Sequence, residues 1–131
     1  MSRLLVDKAI GELESVKIRV EASIPLVRVK NLLRCGFEGI GYWASSYEFI
    51  GCESVDDFGL CGEGKVRIVD EMDDGVVYVM NWYSVIMGLE KMCANGGFYW
   101  NMFMEENEDA RVGDVFIQYC LWGEERYMSC Y

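Results

Sequence analysis

Apolar and charged residues alternate strictly through Val16-Lys17-Ile18-Arg19-Val20-Glu21-Ala22, a period of two that predicts one half-buried strand over 16–22. Ahead of it, Leu5, Ala9 and Leu13 stand four apart, a weak helical period over 3–14 that Gly11 interrupts. After it, Ser23 is placed to cap a helix that tolerates Pro25 in its first turn. Leu26, Val29, Leu32 and Leu33 share one face of that helix, Lys30 and Arg34 lie toward the other, and Gly36 is a stop. Gly39-Ile40-Gly41-Tyr42-Trp43 has two readings, the opening of a second helix or the start of a strand through Tyr47-Glu48-Phe49-Ile50. Residues 51–64, rich in Gly, Asp and Ser, predict an exposed loop.

The β-branched runs Lys65-Val66-Arg67-Ile68-Val69 and Val76-Val77-Tyr78-Val79-Met80 flank Asp73-Asp74-Gly75, a hairpin signal. Asn81 then caps a helix to about Cys93, whose Val85, Ile86, Leu89, Met92 and Cys93 form one stripe, and Asn95-Gly96-Gly97 ends it. Phe98 to Met104 predicts a short aromatic helix or turn. An acidic run over 105–109 precedes a helix over about 111–122, and 126–130 predicts a short terminal strand. Hairpin and helices together give an α+β class: a three- or four-stranded antiparallel sheet with helices packed on one face. The length of 131 residues fits a single compact domain over 1–131, with 1–14 as an N-terminal extension of it.

Composition narrows the function more by exclusion than by assignment. A chain 52 % hydrophobic and 14 % aromatic can bury a core, which argues against disorder. Its apolar runs fall short of the roughly 18–20 residues that span a bilayer, and Asp7 and Lys8 break Leu4-Leu5-Val6, so no signal peptide is expected. The expected location is therefore the cytoplasm, with the six cysteines reduced. Twelve basic against 22 acidic residues give a net charge of −10, which disfavours direct nucleic-acid binding and favours a basic partner.

Chemistry is sparse. Without histidine there is no Ser-His or Cys-His nucleophile pair and no imidazole metal ligand. Cys52 and Cys61 are too far apart for the usual zinc spacing, and the acidic run does not follow a calcium-loop pattern, so no metal and no cofactor are expected. Gly59-Leu60-Cys61-Gly62-Glu63-Gly64-Lys65 lacks the Ser/Thr ending of a phosphate loop and leads into a strand. Catalysis would need carboxylates, Lys, Tyr or Cys alone, and no motif supports a carboxylate-based enzyme. Asp114 and Gln118, four apart, read either as a hydrogen-bonded helix N-terminus or as a polar pair at the mouth of a ligand pocket. The aromatic groups Tyr42-Trp43, Trp82-Tyr83, Phe98-Tyr99-Trp100 and Trp122 read mostly as core, with at least one pair facing a partner.

Two stretches resemble a known family. Asp114-Val115-Phe116-Ile117-Gln118, Cys120-Leu121 and Gly123-Glu124, with Cys35-Gly36-Phe37-Glu38-Gly39-Ile40-Gly41-Tyr42-Trp43 earlier, look like the signatures of a family of small bacteriophage and prophage proteins. That family has no settled activity, so the resemblance implies a phage context, not a reaction. It spans about 16–128, and this chain departs from it in its N-terminal stretch and its 51–64 loop.

In that context the first expectation is a non-enzymatic counter-defence protein. It would block a host immune effector in the manner of anti-CRISPR proteins, through an acidic face of Glu105, Glu106, Glu108, Asp109 and Asp114. The alternative is a sponge that sequesters a nucleotide immune signal, with a ligand pocket drawn from Tyr42, Trp43, Arg67, Arg111, Gln118 and Arg126. A further alternative is an accessory phage protein with no inhibitory role. Association into an oligomer is compatible with each.

Overall fold

The computed structural model describes residues 15–18, 22–58 and 64–128. The helical period over 3–14 lies outside them. Two short antiparallel strands, β1 (Ser15–Ile18) and β2 (Ala22–Pro25), replace the single strand expected over 16–22. Ser23 does not cap a helix: it sits in β2, where its hydroxyl bonds the Ser15 hydroxyl at 2.9 Å. Pro25 takes the N-cap position of α1 (Leu26–Gly39), and no side chain caps that helix. Proline suits the place, since it lacks the N–H that would go unpaired and its ring fixes φ.

A 3-10 turn, Ile40–Tyr42, follows α1 and leads into β3 (Ala44–Ile50), which realises the strand reading of the Gly-Tyr-Trp stretch. The segment after β3 is not wholly an exposed loop. It contains one helical turn, α2 (Val55–Phe58), whose Val55 and Phe58, three apart, are both buried. The predicted hairpin is present as β4 (Lys65–Asp70) and β5 (Val76–Asn81) in unbroken antiparallel register. Between them Asp74 and Gly75 take left-handed backbone angles, φ 54° and 75°, which Asp tolerates and Gly adopts freely.

Asn81 caps α3 (Trp82–Asn95) in a reciprocal capping box with Ser84. Then come α4 (Phe98–Met104) and α5 (Ala110–Trp122). The terminal strand expected over 126–130 is absent from its described part, 126–128.

The three-stranded sheet runs β3-β4-β5, antiparallel throughout, with the helices on one face. Alternation along β4 turns Val66, Ile68 and Asp70 inward and Lys65 and Arg67 outward. The inward side chains meet Leu32 and Leu33 of α1, Ile86 and Leu89 of α3, and Phe116 of α5 in one core. The centre of this core is α5, which packs mainly on α1 and α3 and is buried without a break from Val112 to Tyr119.

Glycines let the helices approach closely. A Cβ at Gly113 would lie 2.2 Å from the Gly36 backbone nitrogen, and one at Gly39 would lie 2.1 Å from the Ala110 carbonyl oxygen. Cys35, Cys93 and Cys120 are free thiols, and burial pushes all three above the ordinary range. Among the described residues no helix is long and apolar enough to cross a membrane.

Candidate functional site

The close crossing of α1 and α5 sets the chain leaving α1 against the first turns of α5. Tyr42 and Trp43 therefore reach Asp114, which is 1 % exposed. The Trp43 ring N–H donates to Asp114 Oδ1 at 2.7 Å, and the Tyr42 hydroxyl donates to Oδ2 at 2.6 Å. One turn further along α5, Gln118 Nε2 donates to the same Oδ1 at 3.0 Å. Three donors around one carboxylate satisfy most of its accepting capacity.

Gln118, itself fully buried, then holds the segment that follows α5. Its Oε1 accepts the backbone N–H of Arg126 at 2.6 Å and of Tyr127 at 2.8 Å, while Nε2 donates to the Tyr127 carbonyl at 3.0 Å. Only this amide orientation places an oxygen before two donors and an NH2 before two acceptors. The side chain thus does for 126–127 what a neighbouring strand's peptide would do.

The pinned Tyr127 extends the network to the sheet. Its hydroxyl donates to Asp70 Oδ2 at 2.8 Å, and Asp70 Oδ1 accepts the Met72 N–H at 2.9 Å, capping the turn after β4. Trp43, Trp122 and Tyr127 pack around this polar chain with ring centroids 5.2 to 5.7 Å apart, Trp122 and Tyr127 meeting edge to face and the two Trp43 pairs tilted.

Burial raises the Asp114 carboxyl above its ordinary range, against the opposing pull of its three donors and of Arg111. Burial also raises the Tyr42 phenol, reinforced by Asp114, and pushes Tyr127 up to about 12 with help from Asp70. Nearby Glu125 is raised by partial burial and by the Asp114 charge, while Arg111 opposes both. Both tyrosines therefore remain neutral donors at physiological pH.

Several assignments made from sequence change here. Asp114 belongs to no acidic face: it points at α1 and is buried. Nor does it cap α5, because Asp109 does, accepting the Val112 N–H at 3.0 Å. Glu108 is spent on structure as well, bonded to Arg28 at 3.1 Å and Asn31 at 3.0 Å with its side chain 7 % exposed. Of the five acids, Glu105, Glu106 and Asp109 face solvent and make no ion pair among the described residues, and Asp109 is already engaged as the α5 cap.

The pocket set also divides. Tyr42, Trp43 and Gln118 join Asp114 in one network, and Arg126 enters it through its backbone N–H, its guanidinium lying 4.5 Å over the Trp122 ring. Arg111 lies over Tyr99 at 5.8 Å. Arg67 stands apart on the outer face of the sheet, paired with Glu48 at 3.1 Å. The three arginines therefore do not converge as a phosphate site would require. Among the described residues no group of three His, Cys, Asp or Glu side chains is arranged to hold a metal ion.

Sequence reasoning missed Asp70 and Tyr127. For Asp70 a signal exists, since it shares the inward phase of β4 with Val66 and Ile68. Nothing local marks Tyr127, whose partner is 57 residues away.

The second notable surface is α4 with the turn after it. Phe103 faces the core, while Phe98 is 67 % and Met104 46 % exposed, ahead of exposed Glu105 and Glu106. Arg28 on α1 locks this turn: its guanidinium lies 4.3 Å over the Phe103 ring and bonds both the Phe103 carbonyl and Glu108. The acidic and apolar groups are thus presented on a braced scaffold.

The chain matches no family model, no curated protein and no solved structure.

Proposed function

We propose that this protein is a non-enzymatic binding protein that docks the α4 surface onto a basic surface of another protein. In the phage context suggested by the sequence resemblance, that partner is a host immune effector. The acids of this surface would occupy the partner's nucleic-acid groove. The observation that carries the reading is the joining of exposed Glu105 and Glu106 to exposed Phe98 and Met104 on a turn braced by Arg28. Apolar anchors beside a charged rim are the usual make-up of a protein interface, and a net charge of −10 speeds encounter with a basic partner.

The nucleotide-sponge alternative gains no comparable support, because Arg67, Arg111 and Arg126 have separate partners and the Tyr42, Trp43 and Gln118 polar groups bond within the chain. Affinity capture from bacteria carrying defence systems tests the proposal, using the wild type beside Glu105→Lys/Glu106→Lys. Capture of a basic protein that the double variant fails to hold supports it. Equal capture by both, or a nucleotide retained in native mass spectrometry, overturns it.

A further inference from the structure

The sheet has two edges, and only one is guarded. The β3 edge carries a register shift at Ser45, two serines and Glu48, features that discourage another strand from pairing. The β5 edge carries none of these. Val76-Val77-Tyr78-Val79-Met80-Asn81 has no charge and no proline, and its register with β4 is regular from end to end. Apart from β4 and the Ser84 contact at Asn81, no hydrogen bond reaches the β5 backbone among the described residues. Its valines are open too: Val76 is 42 %, Val77 41 % and Val79 53 % exposed.

We infer that β5 is a self-association edge, pairing antiparallel with β5 of a second copy of this chain to make a continuous six-stranded sheet. Three features select a copy of the chain as the occupant. The first is side-chain phase. Val77 and Val79 lie on the outer face, across β4 from Val69 and Arg67, whereas Tyr78 and Met80 lie on the inner face. With Tyr78 opposite Tyr78 about a two-fold axis, Val77 meets Val79 and Val76 meets Met80, so each face continues across the join. A shift of one residue would turn the second copy over and set its inner side chains beside the outward valines of the first, so the two faces would no longer continue.

The second feature is charge. The chain carries −10, yet this strand is neutral, so the pairing residues add no repulsion of their own. The antiparallel arrangement also carries each acidic turn, with Asp73 and Asp74, toward the partner's Asn81 end, where Lys65 is the cross-strand neighbour. A parallel arrangement would set the two acidic turns side by side. The third feature is symmetry: an isologous contact closes at two copies and leaves the guarded β3 edges outermost.

A single strand pair is a small interface, below about 1,200 Å², so association is expected only at micromolar concentrations or above. Salt gives the contact a signature of its own. Screening relieves repulsion between two −10 chains, so the dimer strengthens as ionic strength rises from about 0.05 M to about 0.5 M. Docking of Glu105 and Glu106 on a basic partner weakens over the same range. The two readings therefore stand or fall separately.

Sedimentation velocity on the full chain, over a concentration series up to about 1 mM at both salts, tests the inference. The comparison set is Val77→Lys, Val79→Lys and Val27→Lys. Each makes the same charge change at an exposed valine, Val27 being 69 % exposed on α1. The β5 variants should lower the association constant by at least about tenfold although they reduce net repulsion, while Val27→Lys leaves it equal or slightly higher. Hydrogen exchange should show amides of 76–80 gaining protection as the wild type is concentrated. A monomer at every concentration and salt overturns the inference. So does a dimer that survives Val77→Lys and Val79→Lys with both variants folded by circular dichroism, or one whose new protection lies away from β5.

Discussion

Replacing Asp114 separates a structural carboxylate from a merely tolerated one. In Asp114→Ala the Trp43 ring N–H and one Gln118 N–H lose their acceptor, and both residues are fully buried. An orphaned buried donor costs about 1–3 kcal/mol, so the two together cost about 4 kcal/mol. Tyr42 adds little, because it is partly exposed and its hydroxyl also reaches the Tyr127 carbonyl at 3.1 Å. For a domain of this size, about 4 kcal/mol corresponds to a fall in Tm of roughly 15 °C.

Asp114→Asn is the informative partner. Its amide oxygen still serves Trp43 and Gln118, its NH2 can donate to the Tyr42 oxygen, and Tyr42 turns its proton to Tyr127. The expected cost at neutral pH is no more than about 1 kcal/mol, because the burial that raises the carboxyl offsets the stronger hydrogen bonds an ionised acceptor makes. Urea unfolding followed by tryptophan fluorescence measures both variants. A loss below about 1 kcal/mol for Asp114→Ala refutes the network as a structural element. Equal losses for Ala and Asn would assign its worth to the charge alone.

The pH dependence has a definite sign. Burial raises the folded Asp114 carboxyl above its unfolded value near ~3.9. The folded state therefore binds this proton more tightly, and the group's contribution is fullest below the unfolded value and is lost as pH rises through the folded one. The stability gap between wild type and Asp114→Asn should accordingly widen on acidification and narrow toward neutrality.

Other substitutions probe the surrounding structure. Gln118→Leu strips the acceptor from the Arg126 and Tyr127 N–H groups, so 126–127 should exchange hydrogen faster and stability should fall by about 2–4 kcal/mol, read by exchange mass spectrometry and urea titration. Gln118→Glu keeps both acceptors but sets a second carboxylate beside Asp114. Its deficit should be largest at neutral pH and shrink in acid, as thermal melts across pH will show. Gly113→Ala forces a Cβ against the Gly36 backbone and should cost more than about 3 kcal/mol, whereas Gly41→Ala meets nothing within 4 Å and should lie within about 0.5 kcal/mol of wild type. Arg28→Met should free the turn over 103–108 and cost about 2 kcal/mol, with new protease cleavage between Met104 and Asn107 as the direct sign.

What the sequence made legible was local. The hairpin around Asp74-Gly75, the Asn81 cap and the aromatic helix at Phe98 each depend on residues a few positions apart, and each formed as expected. The α+β architecture followed from those elements. Errors came where a partner far along the chain decides a residue's role. Asp109 and Asp114 are both acids near the start of one helix, and only the approach of α1 determines that the first caps and the second is buried. Gly36 reads as a helix stop, yet it lies inside α1 because Gly113 on α5 leaves no room for a side chain. Glu108 was counted as a surface charge because its partner, Arg28, is 80 residues distant. Tyr42, Trp43, Asp114 and Gln118, from two stretches far apart in the chain, come together in a network whose geometry is that of a scaffold.

The most direct test of the proposed binding role is the salt dependence of affinity capture, wild type against Glu105→Lys/Glu106→Lys, with a bacterial lysate as prey. Capture of a basic protein by the wild type at about 0.05 M salt, its release by about 0.5 M, and no capture by the variant are the predicted results. A partner held equally by both proteins, or held more tightly as salt rises, would contradict the account.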